Sequence, residues 1–458
     1  MTFVDLLPIV MFGALAILLF SGFPVAWVLG GLGVAFGAIG IYFGVFSFIE
    51  YFNIVSRIWG NAAESLILVA VPMFIFMGTM LERSGVAKDL LYCLQVLLRK
   101  TPGGLALSVT IMGTIMAATT GIIGASVVMM TLLALPVMLE RGYNTPLATG
   151  TIAASGTLGI LIPPSIMLVI MADLLSISVG TLFLAAIGPG LILAGLYLVY
   201  IYVRCSIDPS LAPPLPDDIG PRTRIALYAM VLRSFIPPIM LIVFVLGSIF
   251  AGWATPTEAA GVGALGALLL AVFNRKLNFG VLKDVLERSA LTIGMIFGIF
   301  IGATAFSYVY RSLGGDDLVH HYVSQAGFDS WGLLIMMMVL VFLLGFFFDW
   351  IEITLIVLPL FAPMMRTMDF GTHIPGVDNI IPWVAILLAV NLQTSFLTPP
   401  FGFALFYMKG VAPKSVRIQE IYRGIIPFVV LQLIGLLAVI WFPELALWLP
   451  EVMLERGN

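Results

Sequence analysis

The sequence predicts an all-α polytopic membrane protein built as two inverted repeats, each of about five transmembrane helices plus one re-entrant Pro-Pro hairpin. Three observations carry this prediction. The 458-residue chain is 61% hydrophobic and 10% charged, which excludes a soluble globular domain and supplies runs long enough to cross a bilayer core of roughly 30 Å. Two apolar segments, 146–172 and 382–408, each carry a double proline near the centre. The two halves of the chain also echo one another across a polar linker.

Taken in order, apolar runs predict spans near 6–21, 25–46, 62–81, 105–139, 180–203, 226–250, 258–273, 289–310, 331–366 and 421–447. The start, MTFVDLLPIV, lacks the basic region of a cleaved signal peptide, so the first run is expected to be retained. Residues 82–104, 204–225, 274–288 and 409–423 hold most of the lysines and arginines, whereas 312–330 and 173–179 contain acids and little positive charge. The positive-inside rule then places the basic stretches in the cytoplasm and both termini outside. Residues 367–381, with Asp369 and Asp378, fit the inner side poorly. Residues 82–100 and 313–326 read as interfacial helices, or as arms joining a moving part to a fixed frame.

The linker CSIDPSLAPPLPDDIGPRTR at 205–224 separates a first repeat, 1–204, from a second, 225–458. The run starting PIVMFGALAILLF at 8 is echoed by PPIMLIVFVLGSIF at 237, and SGTLGILIPPSIML at 155–168 by LQTSFLTPPFGFAL at 392–405. Pro399 stands 236 positions after Pro163. An odd number of crossings per half inverts the second half relative to the first, a signature of secondary transporters.

Proline removes a backbone donor, and a broken backbone in hydrocarbon is tolerated only where protein or water satisfies it. A hairpin tip at each Pro-Pro would present carbonyls that suit Na⁺ and free N–H groups that suit a carboxylate. Ser155, Gly156 and Thr157 precede the first break; Asn391, Gln393, Thr394 and Thr398 precede the second. The bland alternative is a pair of proline kinks with small polar residues filling the freed backbone groups. Gly188-Pro189-Gly190, and Gly424 with Pro427, predict interruptions in the spans that follow, closing each site from a second side.

Asp349 and Glu352 share one helical face within 331–366. An intramembrane carboxylate is a functional candidate by default, and a wet turn between two short segments is the plain alternative. Glu258 completes a capping box with Thr255 and Pro256. His320 and His321 read as a solvated pair, and Cys93 and Cys205 as free thiols. No Ser/His/Asp set, nucleotide-binding glycine loop or Cys/His cluster occurs, so no enzyme chemistry is expected. A net charge of −3 gives no footprint for nucleic acid.

The stretch ERGYNTPLATGTIAASGTLGILIPPSIML within 140–192, with SIFAGWATPTEAAG at 248–261 and SFLTPPFGFALFYMKGVAP at 395–413, resembles the large membrane subunit of the TRAP (tripartite ATP-independent periplasmic) transporters, the DctM-like family. The likeness runs over nearly the whole chain. It implies an elevator-type carrier of the bacterial inner membrane, with scaffold and transport domains, that couples Na⁺ to uptake of a small organic acid. It also implies a separate small four-helix membrane subunit (DctQ-like) and a periplasmic solute-binding protein as partners. By position, a first Na⁺ site falls at Ser155, Gly156 and Thr157 with Gly188. A second falls at Asn391, Gln393, Thr394 and Thr398 with Gly424. The substrate carboxylate falls between the tips, at Pro164, Ser165, Thr394 and Pro400, with Asp349 as a further candidate. A self-sufficient Na⁺/carboxylate symporter is the alternative, and a channel a more distant one.

Overall fold

The computed structural model describes residues 6–120, 123–216, 219–221, 223–325, 327–374, 376–399 and 402–455. Twenty α-helices account for the architecture, with no strand among the described residues. The first half begins with α1 (Leu7–Phe20), α2 (Val25–Tyr42), α3 (Phe48–Ile58), α4 (Ala70–Arg83) and α5 (Val86–Leu98). It continues through α6 (Gly104–Thr120), α7 (Ile123–Glu140), α8 (Thr145–Thr157), α9 (Ile166–Leu175) and α10 (Val179–Ile207). After the linker come α11 (Arg224–Phe250), α12 (Pro256–Phe273), α13 (Phe279–Ser312), α14 (Gly315–Gln325) and α15 (Ser330–Leu344). The chain closes with α16 (Trp350–Met365), α17 (Val377–Leu397), α18 (Phe403–Val411), α19 (Ile418–Trp441) and α20 (Glu444–Glu455).

Eight of these helices are long and apolar enough to cross a membrane: α2, α7, α10, α11, α12, α13, α17 and α19. Hydrocarbon provides no hydrophobic drive between such helices, so close backbone packing at small residues holds them together. A side chain at Gly33 would strike the Ala305 backbone, and one at Gly302 the Ala26 carbonyl, which is why α2 and α13 pack so tightly. The helices fall into two groups. α1 to α4 pack with α11 to α13 as an outer group, while α8 packs with α6, α7 and α19, and α17 with α15 and α19, as a central group that α9 and α16 join through α15 and α17, α16 also resting on α13. α5 touches both, through α11 and α4 on one side and α6 on the other. α17 lies at the heart of the molecule: an 18-residue window of it is 100% buried, against 22% for α11 at the rim.

Several predicted runs divide differently in the structure. The run 105–139 is two helices, α6 and α7, which pack against each other; 331–366 is α15 and α16; 421–447 is α19 and α20. The span near 62–81 begins only at Ala70, after a π-helical turn over Trp59–Ala63. The interfacial helices predicted near 82–100 and 313–326 are α5 and α14.

At the Pro-Pro hairpin expected over 146–172 the chain unwinds between α8 and α9. Its two arms, α8 and α9, hardly touch, and α9 packs instead on α16. The segment is an unwound stretch between two helices, and α6, α7 and α8 pack on one another beside it. The expected interruptions at Gly188 and Gly424 are absent, since α10 and α19 run unbroken through Pro189 and Pro427. Both glycines serve close approach instead. A Cβ at Gly188 would collide with the Leu445 carbonyl of α20, and one at Gly424 with the Pro146 carbonyl and Gly150 backbone of α8.

Candidate functional site

Pro163 and Pro164 remove the amides that would reach the carbonyls of Gly159 and Ile160. The chain answers locally. After α8, a short 3₁₀ turn over Leu158–Ile160 tightens the backbone, Leu161 and Ile162 N–H both donate to the Leu158 carbonyl at 3.0 Å, and Ser165 Oγ donates to the Ile160 carbonyl at 2.5 Å. Ser165 is also the N-cap of α9, and Pro163-Pro164 is a cis bond. Every residue of this stretch is buried except Ile162, which is half-buried, so the irregular backbone is shielded by protein as membrane depth requires.

The second break follows α17. Thr398 Oγ1 donates to the Thr394 carbonyl at 2.8 Å, Thr394 Oγ1 to Val390, and Ser395 Oγ to Leu392. Pro400 lies outside the described residues. Gly402, in the left-handed region at φ +30°, lets the returning chain pass the Phe396 carbonyl before α18 starts.

Neighbouring helices clamp both breaks. Thr110 Oγ1 on α6 accepts from Ser155 Oγ at 3.2 Å, and Gly113 leaves room for the Ser155 backbone. Val127 of α7 packs on Gly156. Asn391 Nδ2 donates to the Met338 carbonyl of α15 at 2.7 Å, and Gly345 at the end of α15 makes room for Ser395. At the start of α7, Gly124 faces the Tyr407 ring of α18.

The two breaks meet through one pair. Gln393 Nε2 reaches Thr157 Oγ1 at 3.5 Å, joining residues 236 positions apart. Behind them, the fully buried Tyr197 of α10 and Gln432 of α19 complete a polar cluster. The Tyr197 hydroxyl lies beside the amides of Gln393 and Gln432 without an aligned hydrogen bond to either. Gln393 Oε1 and both polar side-chain atoms of Gln432 are buried without partners among the described residues. The donors gathered here are hydroxyls, amide oxygens and carbonyls, with no cluster of three His, Cys, Asp or Glu among the described residues. Such neutral oxygens match a monovalent hard cation.

The structure thus brings Thr157 and Gln393 into contact, with Ser155, Gly156 and Thr394 buried next to them in the chain; Gly188 faces α20 and Gly424 faces α8 ahead of its tip, while Gly190 packs on Ile162 of the unwound stretch. Asp349 is the N-cap of α16, accepting from Trp350 N–H at 2.8 Å, and Glu352 Oε2 accepts from the Asp349 N–H at 3.2 Å. That reciprocal cap is the same device found at Thr255 and Glu258. Sequence reasoning missed Thr110, Tyr197 and Gln432. Thr110 is one of several hydroxyls along α6, Tyr197 and Gln432 stand in apolar stretches of α10 and α19, and their convergence depends on three-dimensional packing.

Helices broken at buried, small-residue polar centres, set in a bundle with eight membrane-length helices, define a polytopic carrier. The match to the family model described as "Tripartite ATP-independent periplasmic transporter, DctM component" spans residues 12–445, and the chain belongs to this family of transporter permeases. Among its relatives is the C4-dicarboxylate TRAP transporter large permease protein DctM of Pseudomonas aeruginosa, 30% identical over 85% of this chain and 88% of that protein. The isethionate TRAP transporter permease protein DctMQ of Oleidesulfovibrio alaskensis is 30% identical over 97% of this chain and 66% of its own length. The fold is similar to that of the Alcanivorax borkumensis YdaH transporter, with a TM-score of 0.58 at 14% identity over 97% of this chain and 99% of that one.

Proposed function

We propose that this chain is the Na⁺-coupled membrane permease of a three-component system of the bacterial inner membrane, importing a small organic anion. The observation that carries this reading is the meeting of the two Pro-Pro breaks at Thr157 and Gln393. Their separation of 236 positions equals that of Pro163 and Pro399, so each residue meets its own counterpart, as happens at a pseudo-two-fold axis. Tyr197 and Gln432 are related by almost the same offset. The element order supports two halves divided by the linker at 205–224. α2 and α12 are both 18 residues long, α5 matches α14, and α6–α7 matches α15–α16.

In this reading each half has five crossings and one re-entrant pair, the pair being α6–α7 or α15–α16. The Pro-Pro segments then cross the membrane. That placement agrees with charge: 173–179 and 367–381 have no Lys or Arg, while Lys409, Lys414, Arg417 and Arg423 follow the second break. The oxygens of Ser155, Gly156 and Thr157 would hold one Na⁺, and those of Asn391, Gln393, Thr394 and Thr398 another. The substrate carboxylate would face the N–H groups after the breaks, near Ser165. Asp349 is unsuited to an anion, since its charge would repel one and its oxygen already caps α16.

Dicarboxylate and isethionate, the solutes in the names of the two relatives, are both anions, which favours an anionic solute here. The longer fused relative DctMQ favours a separate small membrane subunit as partner, with a solute-binding protein delivering the anion. The test is uptake into proteoliposomes containing this chain, with and without the small subunit and binding protein, under an imposed Na⁺ gradient. Uptake is expected only with all three components and Na⁺, and Ser155→Ala and Thr394→Ala should raise the Na⁺ concentration for half-maximal uptake. Uptake by this chain alone would favour a self-sufficient symporter, and Na⁺-independent uptake would remove the coupling assignment.

A further inference from the structure

A cavity of about 560 Å³ lies between the outer group and the central group, within the range of roughly 300–1,000 Å³ typical of small-molecule sites. α13 turns one face toward it, with Thr304, Ser307, Tyr308 and Arg311, while α3 and the turn after it contribute Arg57 and Asn61. The opposite wall is the end of α9 and the apolar flank of α16. Its charges are unequally compensated. Arg311 pairs with Asp316 at 3.4 Å and also donates to the Pro359 carbonyl. Asp173 accepts from Ser65 Oγ at 3.0 Å. Arg57 has no carboxylate partner among the described residues. Its guanidinium stands 5.9 Å from the centre of the Tyr308 ring, and that ring is fixed by a 2.7 Å hydrogen bond from its hydroxyl to the Glu50 carbonyl. The guanidinium donors of Arg57 are thereby held at the cavity by a cation–π contact that uses none of them.

The location adds a direction. The cavity sits where α9 runs into 173–179 and α13 into 312–330, two stretches without Lys or Arg beyond Arg311 itself. Loop charge places both on the outer face. We propose that this cavity is an entrance vestibule that holds the carboxylate of an incoming organic anion on Arg57, ahead of the buried centre. The inference rests on the carrier reading for its role in uptake, whereas the anion site itself can be tested without transport.

The experiment places a reporter thiol at Ser307→Cys in the full chain reconstituted in neutral lipid, where Cys93 and Cys205 are both buried. Labelling rates are compared for 2-sulfonatoethyl methanethiosulfonate and its trimethylammonium counterpart, each normalised to a free thiol. The anionic reagent should be favoured, and acetate and succinate should slow it relative to chloride at equal ionic strength. Arg57→Gln should remove both effects and Arg57→Lys should keep the preference, which separates lost charge from lost fold. In uptake, Arg57→Gln should raise the half-saturating substrate concentration about tenfold, the order expected on losing a charge-assisted hydrogen bond, with Na⁺ dependence unchanged. An anion preference that survives Arg57→Gln, or no protection by either carboxylate, overturns the vestibule even if uptake is intact. Protection that requires added anionic phospholipid would assign Arg57 to a headgroup and overturn it equally.

Discussion

At the scale of the residue, the clearest case is Asp349. A carboxylate in an apolar run invites a functional reading, but here its oxygen accepts from Trp350 N–H while Glu352 returns the bond to the Asp349 N–H. Asparagine caps a helix as well as aspartate does, and alanine loses about 1 kcal/mol. Asp349→Asn should therefore keep both the thermal midpoint in detergent and the uptake rate, whereas Asp349→Ala should lower the midpoint. A folded but inactive Asn variant would show that the charge itself is used and would restore the functional reading. Gly424 illustrates the same lesson for packing. Next to Pro427 it reads in sequence as a helix break, yet in space it is where α19 rests directly on the α8 backbone. The residue type states only that a side chain is forbidden; the neighbour decides why.

At the scale of the element, the question is whether the Pro-Pro segments turn back or cross. α8 and α9 hardly touch, which favours crossing at the first segment, whereas α17 and α18 keep some contact beside the second. The consequence is sharpest at 367–381, between α16 and α17, because a crossing second segment puts this stretch outside and a hairpin opening inward puts it inside. Thr372, exposed in the short turn there, is the natural reporter. Thr372→Cys should react with a membrane-impermeant maleimide added to intact cells; reaction only after permeabilisation would return the hairpin. Much of this organisation was legible in the sequence. Two Pro-Pro pairs in matched apolar contexts located both breaks, and the capping box at Thr255 and Glu258 was readable from spacing alone. The division of 105–139 into α6 and α7 was not. The residues around the division, Ala-Thr-Thr-Gly-Ile, are small or apolar and cost the hydropathy of the run almost nothing, so periodicity and length cannot reveal it. The Thr157–Gln393 meeting was equally hidden, because a contact across 236 positions depends on how the halves fold together.

At the scale of the whole molecule, the grouping of helices suggests what moves. The central group contains both breaks, while the outer group packs through small residues of α2 and α13 and of α4 and α12. Among the described residues, polar contacts cross from one to the other at Ser65 Oγ with Asp173, and at Arg311 with the Pro359 carbonyl. α5 packs on both groups, as a hinged arm would. An elevator requires the central group to slide against the outer one as a body, so a covalent tie between them must stop turnover, and a tie within one group must not. Ser65→Cys with Asp173→Cys, bridged by a short bifunctional thiol reagent, should abolish uptake and regain it after reduction. Ser84→Cys with Asn274→Cys joins the ends of α4 and α12, where the Asn274 amide donates to the Ser84 carbonyl at 3.2 Å, and should leave uptake intact when bridged. If the first pair is bridged completely and transport persists, the two groups do not move past one another there, and access would have to alternate by smaller motions at the breaks.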